Sequence, residues 1–429
     1  MTFNSATSAL GSKTVTNEQR NLMEVTSSGE DQNNPSQLET SGEQSIEIVR
    51  ATVDVTKEAA HAISITALEA VREGALFMGV IGSRGQLVNP FEHVEASIWT
   101  EPEVPKHMVE ASYNFCEELT RREAGNFYHS FKYLPEEKRR AIMAYYAFCR
   151  RADDIADGDY VDVFHGGSSE SPESIKYRER IERLSPGEPV LERSTYNDKM
   201  SQLFYYRKKL STAYSNFTST DPIFIALKDT VRKFGINRQL LDDMISGMEN
   251  DFHKNRYETF EDLYSYCYKV ASTVGLVCIE IYGYSDSRAR DYAESWGVFM
   301  QLINIIRDVA EDAQRDRIYL PLDDLNRWGI TEEDIKGGKE ILKHPGWGPF
   351  VQEYLEKAEL YRERAFKLLP YLDKSSRYSP AAMASFYQSI MRKIIKNDGD
   401  VFSNRIQLSK TEKMFLAAYV YVRFRFIGL

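Results

Sequence analysis

The sequence predicts an all-α protein: one helical domain behind an N-terminal extension. Three observations carry this reading. From about residue 103 onward, apolar residues recur at helical spacing and strand-type alternation is hard to find. Helix starts and breakers punctuate the same stretch, as at Pro135, Asp286 and Pro321. The 429 residues are 42% hydrophobic and 12% aromatic, enough to bury a large core.

Taken in order, residues 1–44 are rich in Ser, Thr, Asn, Gln, Gly and Glu and are expected to be disordered. Residues 45–102 form an extension. Within it Ile46, Val49, Val53, Ala60, Ile63, Ala67, Val71 and Ala75 predict an amphipathic helix ending near Gly79 and Gly82. Its polar face is not rich in Lys and Arg, so packing on the main domain or on a partner subunit fits better than membrane docking. The main domain is 103–429. Pro135, Glu136 and Glu137 start a helix that runs through Cys149 to an acidic segment. Residues 158–195, rich in Gly, Ser, Pro and Glu, predict a loop with a short helix, either a lid or a neutral insertion. Helices are expected at 197–217, 221–233 and 237–254, then from Phe260 to Tyr284. Asp286 and Ser287 are expected to cap a long helix over 288–314. After the break at Pro321 and 326–329, helices are expected at 348–370, 380–397 and 410–425.

Bulk properties exclude several classes. A net charge of −10 argues against a broad nucleic-acid surface. The four cysteines, Cys116, Cys149, Cys267 and Cys278, form no CxxC pair and lie in apolar helical contexts. Reduced thiols in a cytoplasmic protein are expected, rather than disulfides or zinc ligands. No apolar run approaches the ~18 residues that span a bilayer, and no secretory signal is visible. The tail is acidic rather than Arg-rich, which weakens a transit-peptide reading and leaves a plastid location open.

The chemistry concentrates in two acidic helical segments. The first is Arg150-Arg151-Ala152-Asp153-Asp154-Ile155-Ala156-Asp157. The second is Asn304-Ile305-Ile306-Arg307-Asp308-Val309-Ala310-Glu311-Asp312, followed by Arg315, Arg317 and Ile318-Tyr319-Leu320-Pro321. Oxygen ligands recur every four residues, at Asp153 and Asp157 and at Asn304, Asp308 and Asp312, which stacks them on one helix face. Solvated helix faces also produce such strings. Here, however, the flanks Ala144–Cys149 and Phe299–Ile303 are apolar, so the carboxylates need a metal or arginine partners. Structural ion pairs to the neighbouring arginines are one reading. The other is a clamp for diphosphate, with Mg²⁺ bridging carboxylate and phosphate and arginine taking the remaining charge. Such a site can release diphosphate to leave an allylic cation, provided the rest of the pocket is dry and apolar. A third segment, Tyr264 to Gly275, carries small residues at 271, 272 and 275. They permit close helix packing or a substrate chain lying along the helix.

Over roughly residues 105–425 the chain resembles the squalene/phytoene synthase family. The resemblance rests on Phe127-Tyr128 through Leu134-Pro135, both acidic segments, and Tyr266 to Gly275. Gly247 to Asp251, Tyr387 and Asp400 to Arg405 extend it. It implies an isoprenoid synthase fold, a helical bundle with a central cavity. It implies a prenyl diphosphate substrate and two Mg²⁺-dependent steps, Mn²⁺ being the substitute, through a cyclopropylcarbinyl diphosphate. By resemblance Asp153, Asp157, Asn304, Asp308 and Asp312 bind metal and diphosphate, and Arg150 and Arg317 bind phosphate. Tyr266 assists near the departing diphosphate or the proton loss, and Phe127, Val270 and Gln301 line the cavity. Two positions depart from the pattern. Asn126 replaces a small hydroxyl residue, and Ser272 replaces glycine, which is expected to place a side chain near the prenyl channel.

The run Arg317 to Asp323 is similar to that of phytoene synthases, so condensation of two geranylgeranyl diphosphates is the first expectation. Asp153 to Asp157 also suits squalene or dehydrosqualene synthases acting on farnesyl diphosphate, with NADPH required only for squalene. A non-catalytic scaffold of the same fold is disfavoured by the retained carboxylates. A terpene cyclase or head-to-tail synthase is disfavoured by the segments at 266–275 and 317–321. Peripheral membrane contact, and a monomeric or homodimeric state, are left open.

Overall fold

A computed structural model describes residues 99–100, 104–124, 126–160, 170–185 and 188–424. The expected tail at 1–44 and the amphipathic helix at 45–80 lie outside the described residues. All the described residues fall within the compact unit Gly79–Leu429.

Helices α1 (Lys106–Glu123) and α2 (Asn126–Phe131) lead into α3 (Glu136–Asp157). Pro135 precedes α3, and Glu136 and Glu137 face the unpaired N–H groups of its first turn. Gly158, at φ 89°, ends it in a left-handed turn. The short helix expected after the first acidic segment is α4 (Pro172–Leu184), opened by a capping box between Ser171 and Ser174. Helices α5 (Arg193–Ala213), α6 (Pro222–Phe234) and α7 (Arg238–Asn250) come next, the last two capped by Asp221 and Asn237.

The helix expected from Phe260 to Tyr284 is interrupted. It comprises α8 (Phe260–Cys267), a π-helical turn at Tyr268–Ser272, and α9 (Thr273–Tyr282). Glycines on two neighbours let this turn sit deep. A Cβ on Gly297 would meet Ser272 Cα at 2.5 Å, and one on Gly247 would meet Val270 Cγ1 at 2.6 Å. The long helix α10 (Ala289–Gln314) spans 26 residues. Its expected cap is displaced: Asp286 accepts the N–H of Arg288, one residue before the helix begins.

The chain continues through α11 (Leu322–Arg327), α12 (Glu332–Lys336), α13 (Trp347–Phe366), α14 (Tyr378–Lys396) and α15 (Lys410–Val422). The expectation of helices alone misses one small feature. Strand β1 (Trp99–Thr100) pairs antiparallel with β2 (Phe217–Thr218), each too short to show alternation.

Helix α10 is the axis of the bundle, packed against α13, α9 and the π turn. Two apolar clusters flank it. One joins α1, α3, α5, α6, α7 and α9. The other joins α8, α10, α13, α14 and the segment leading to α15. Phe127 and Met300 pack against both, so the central cavity lies along their seam.

Candidate active site

Between these clusters lies a cavity of about 370 Å³. Aromatic faces of Phe127, Tyr145, Tyr146 and Trp296 form much of its wall, with Ala271, Gly275 and Gly297 giving depth. The lining changes character along both principal helices. On α3 it runs from Ile142 and Tyr145 to Arg150 and Asp153, and on α10 from Ala293 and Trp296 to Gln301 and Asn304. The polar lining therefore gathers toward the C-terminal parts of α3 and α10. Asn304 donates to Gln301 Oε1 at 3.3 Å, while its own Oδ1 is buried without a hydrogen-bond partner. Such an orphaned acceptor is costly and marks a place for a ligand or donor.

The two acidic segments differ in how they are neutralised. Arg150 lies 3.3 Å from Asp153 but 2.5 Å from Asp154. Asp157 has only distant partners, Arg315 at 3.8 Å and Arg317 at 4.0 Å. Burial, and then the neighbouring Asp157, push the Asp153 carboxyl up to about 6. On α10, Arg307 grips Asp308 through two of its three nitrogens, Nε donating to Oδ1 at 2.8 Å and Nη2 to Oδ2. Arg405 reaches the same carboxylate at 3.2 Å. Asp312 has no ion pair among the described residues, and burial together with Asp308 pushes it up to about 7. Arg317 lies within electrostatic reach of Asp153, Asp157, Asp251 and Asp312 and links the two segments. Among the described residues no three His, Cys, Asp or Glu side chains close on a single point. The five expected ligands therefore stand as two separate rows.

Beside Arg317 is a group whose assembly the sequence does not reveal. Asp251, at the end of α7, is buried and accepts from Tyr319 at 3.1 Å and Tyr266 at 3.4 Å. Tyr319 stacks on Tyr257 and Tyr266, which meet each other at a tilt, with ring centroids 5.0–5.6 Å apart. Burial raises Asp251 to about 6, against the lowering pull of Arg317 and the two hydroxyls. Asp251 and Tyr319 appear in the sequence as flanks of motifs, but their meeting spans 68 positions, beyond any local periodicity.

Of the sequence-predicted residues, Arg150, Asp153, Phe127, Val270, Gln301 and Asn304 line the cavity. Asp157, Asp308, Asp312, Arg317 and Tyr266 are not part of that lining. The expectation for Ser272 is corrected. Its side chain is buried and donates to the Glu294 carbonyl at 2.8 Å, tying the π turn to α10. The neighbours Val270, Ala271, Val274 and Gly275 face the cavity instead. The cysteines are free as expected, and Cys149 and Cys278 form part of the apolar wall.

A long-helix bundle around an apolar cavity with an acidic and basic end defines the isoprenoid synthase fold. A solved dehydrosqualene synthase in complex with ligand shares it, with a TM-score of 0.59 and 25% identity over 75% of this chain and 99% of that one. A squalene synthase HpnC from Alicyclobacillus acidocaldarius aligns at a TM-score of 0.55 and 22% identity, over 69% and 97%. The Squalene/phytoene synthase family profile matches residues 120–412, and the chain belongs to that family. Phytoene synthase 2, chloroplastic, of Zea mays is 34% identical over 319 residues, 73% of this chain and 70% of that protein. The 15-cis-phytoene synthase of Synechococcus elongatus is 32% identical over 315 residues, 71% and 90%. Family and relatives together indicate a prenyltransferase-type enzyme. Among the described residues no helix is long and apolar enough to cross a membrane.

Proposed function

We propose that the protein joins two geranylgeranyl diphosphates head to head to give phytoene, through a cyclopropylcarbinyl diphosphate, releasing diphosphate at each step. The observation that carries this reading is the cavity itself: a chamber walled mostly by apolar and aromatic side chains, whose charged and amide lining is confined to Arg150, Asp153, Gln301 and Asn304. The phytoene synthases among the relatives support the choice of product.

The residues fit a hard divalent cation. The donors are carboxylate and amide oxygens, Asn304 Oδ1 is an orphan acceptor, and Asp153 and Asp312 are held up as carboxyls short of positive charge are. Mg²⁺ is commonly held by one or two carboxylates together with substrate phosphates, rather than by a closed protein cage. Asp153 and Asp157 would hold it on one side, and Asn304, Asp308 and Asp312 on the other. When bound it neutralises the diphosphate and makes it a better leaving group.

The chain's own residues do the rest. Arg150 and Arg317 take phosphate charge. The faces of Phe127, Tyr145, Tyr146 and Trp296 stabilise the allylic cation electrostatically and exclude the water that would quench it. Val270 and Gln301 hold the prenyl chains along the π turn and α10. Tyr266, fixed by Asp251 close to Arg317, serves the departing diphosphate rather than the far end of the channel.

A second reading, a thirty-carbon product from farnesyl diphosphate, is favoured by the likeness to dehydrosqualene synthase. Purified protein with Mg²⁺, offered farnesyl and geranylgeranyl diphosphate separately, with and without NADPH, tests both. Phytoene without reductant is the expected result. A thirty-carbon product would select the second reading, and NADPH dependence would separate squalene from dehydrosqualene. Diphosphate release from neither substrate would overturn both.

A further inference from the structure

Helix α15 is apolar on both sides. Its inner face buries Ala417 and Val420 against the bundle. Its outer face presents Met414 (56% exposed), Phe415 (69%) and Tyr419 (58%), with Val422 in line one turn on. Four large apolar side chains on one turn-to-turn stripe exceed the scattered exposed residues normal to a monomer. At its edge the rings of Tyr133 and Tyr421 meet at a tilt, with centroids 5.2 Å apart.

The charge around this stripe is segregated. The protein as a whole carries −10, yet α15 contains Lys410 and Lys413 near its start and is followed by Arg423. Its one acid, Glu412, is neutralised by Lys393 at 2.7 Å and by the cap with Ser409. Lys132 and Lys413 both press on His129, so the positive charge continues across α2. Neither lysine has an ion-pair partner among the described residues. An apolar helical face with aromatic members and unpaired lysines at its margin matches the headgroup region of an anionic bilayer, where rings enter the interface and cations meet lipid phosphates.

The position of α15 gives this match a purpose. It packs against α14 and α2, and Phe131, Pro380 and Met383 of those helices line the cavity. The stripe thus covers the outside of one cavity wall. We propose that the outer face of α15 is a monotopic docking surface for an anionic lipid bilayer, seating this wall of the cavity at the membrane. The purpose rests on the function proposed above, since the prenyl chains and the hydrocarbon product partition into lipid. The docking itself rests on the surface alone. A helix of 13 residues lies in the interface and does not span it.

The test uses the full chain in vesicle flotation, with phosphatidylcholine alone or with about 30 mol% phosphatidylglycerol, at low and high salt. The expected result is flotation with the anionic vesicles at low salt and release at high salt. Phe415→Asp with Tyr419→Asp abolishes flotation, and Lys410→Glu with Lys413→Glu weakens partition by about tenfold or more. Turnover in detergent micelles, measured on the same samples, stays at the parent level in both variants. Three outcomes overturn the proposal: no flotation of the parent protein, flotation that neither variant changes, or a parent dimer that Phe415→Asp with Tyr419→Asp converts to monomer without vesicle binding. The last would assign the stripe to a second copy of the chain. Absence of turnover in detergent with flotation intact would instead remove the function reading and leave the docking surface standing.

Discussion

The two acidic rows look interchangeable as strings, yet they are electrically different. On α3 the arginine at the start of the row favours Asp154, so Asp153 and Asp157 keep loose partners. On α10 two arginines converge on Asp308, while Asp312, one turn later, has no ion pair among the described residues and rises to about 7. One row is an open pair of carboxylates. The other is half satisfied by protein and half left for something else. Ligand spacing identifies where cations are wanted, whereas the arginines that compete for each carboxylate decide which positions are free to take them.

Substitution of either row tests this most severely. Asp153→Ala and Asp308→Ala are each expected to lower turnover by about 10³-fold or more, with the helical circular-dichroism signal retained. The rows should separate in stability. Asp308→Ala leaves Arg307 without its partner and is expected to cost about 1–3 kcal/mol in urea unfolding. Asp153→Ala leaves Arg150 paired to Asp154 and should be nearly neutral. Near-parent turnover of either variant would break the metal-clamp reading, and equal stability losses would break the asymmetry.

Proton linkage sharpens the same contrast by a smaller effect. Below about pH 4 the carboxyl of Asp312 is protonated in folded and unfolded chains alike and contributes nothing. Between about 4 and about 7 the unfolded chain ionises first, so its ionisation draws the metal-free protein toward unfolding, and above about 7 the full penalty stands. Asp312→Asn should therefore melt a few degrees above the parent at pH 8 in EDTA, and level with it at pH 4. A gain at pH 4 as large as that at pH 8 would show that ionisation is not the cause.

The smallest expected effect concerns Ser272. Ser272→Ala should cost about 1 kcal/mol, through the lost bond to the Glu294 carbonyl, and leave product length unchanged. A product of different chain length would place position 272 against the substrate after all.

Most of the bundle is legible in the sequence because helices α3, α10 and α14 carry long apolar periodicity and clear start signals at Pro135 and around Asp286. The acidic rows are legible because they are local, four residues apart on single helices. What escapes is non-local or geometrically irregular. The meeting of Asp251, Tyr266 and Tyr319 depends on tertiary packing, and so does the grip of Arg405 on Asp308, across 97 positions counted from 308 to 405. The orientation of Ser272 escapes because an ordinary α-helical count does not hold through a segment that is π-helical.

That wide turn has a consequence for how the channel can be altered. A π turn is one surplus residue in an otherwise regular rod, and each residue of an α-helix advances its face by about 100°. Loss of a single residue between Tyr268 and Ser272 would let the rod close into a regular α-helix, with Tyr266 still aimed at Asp251 and Val274, Gly275 and Cys278 still in the wall. The joint thus works as an expansion bend between two rods: a residue can be gained or lost there while the greasy end and the phosphate end both keep their setting.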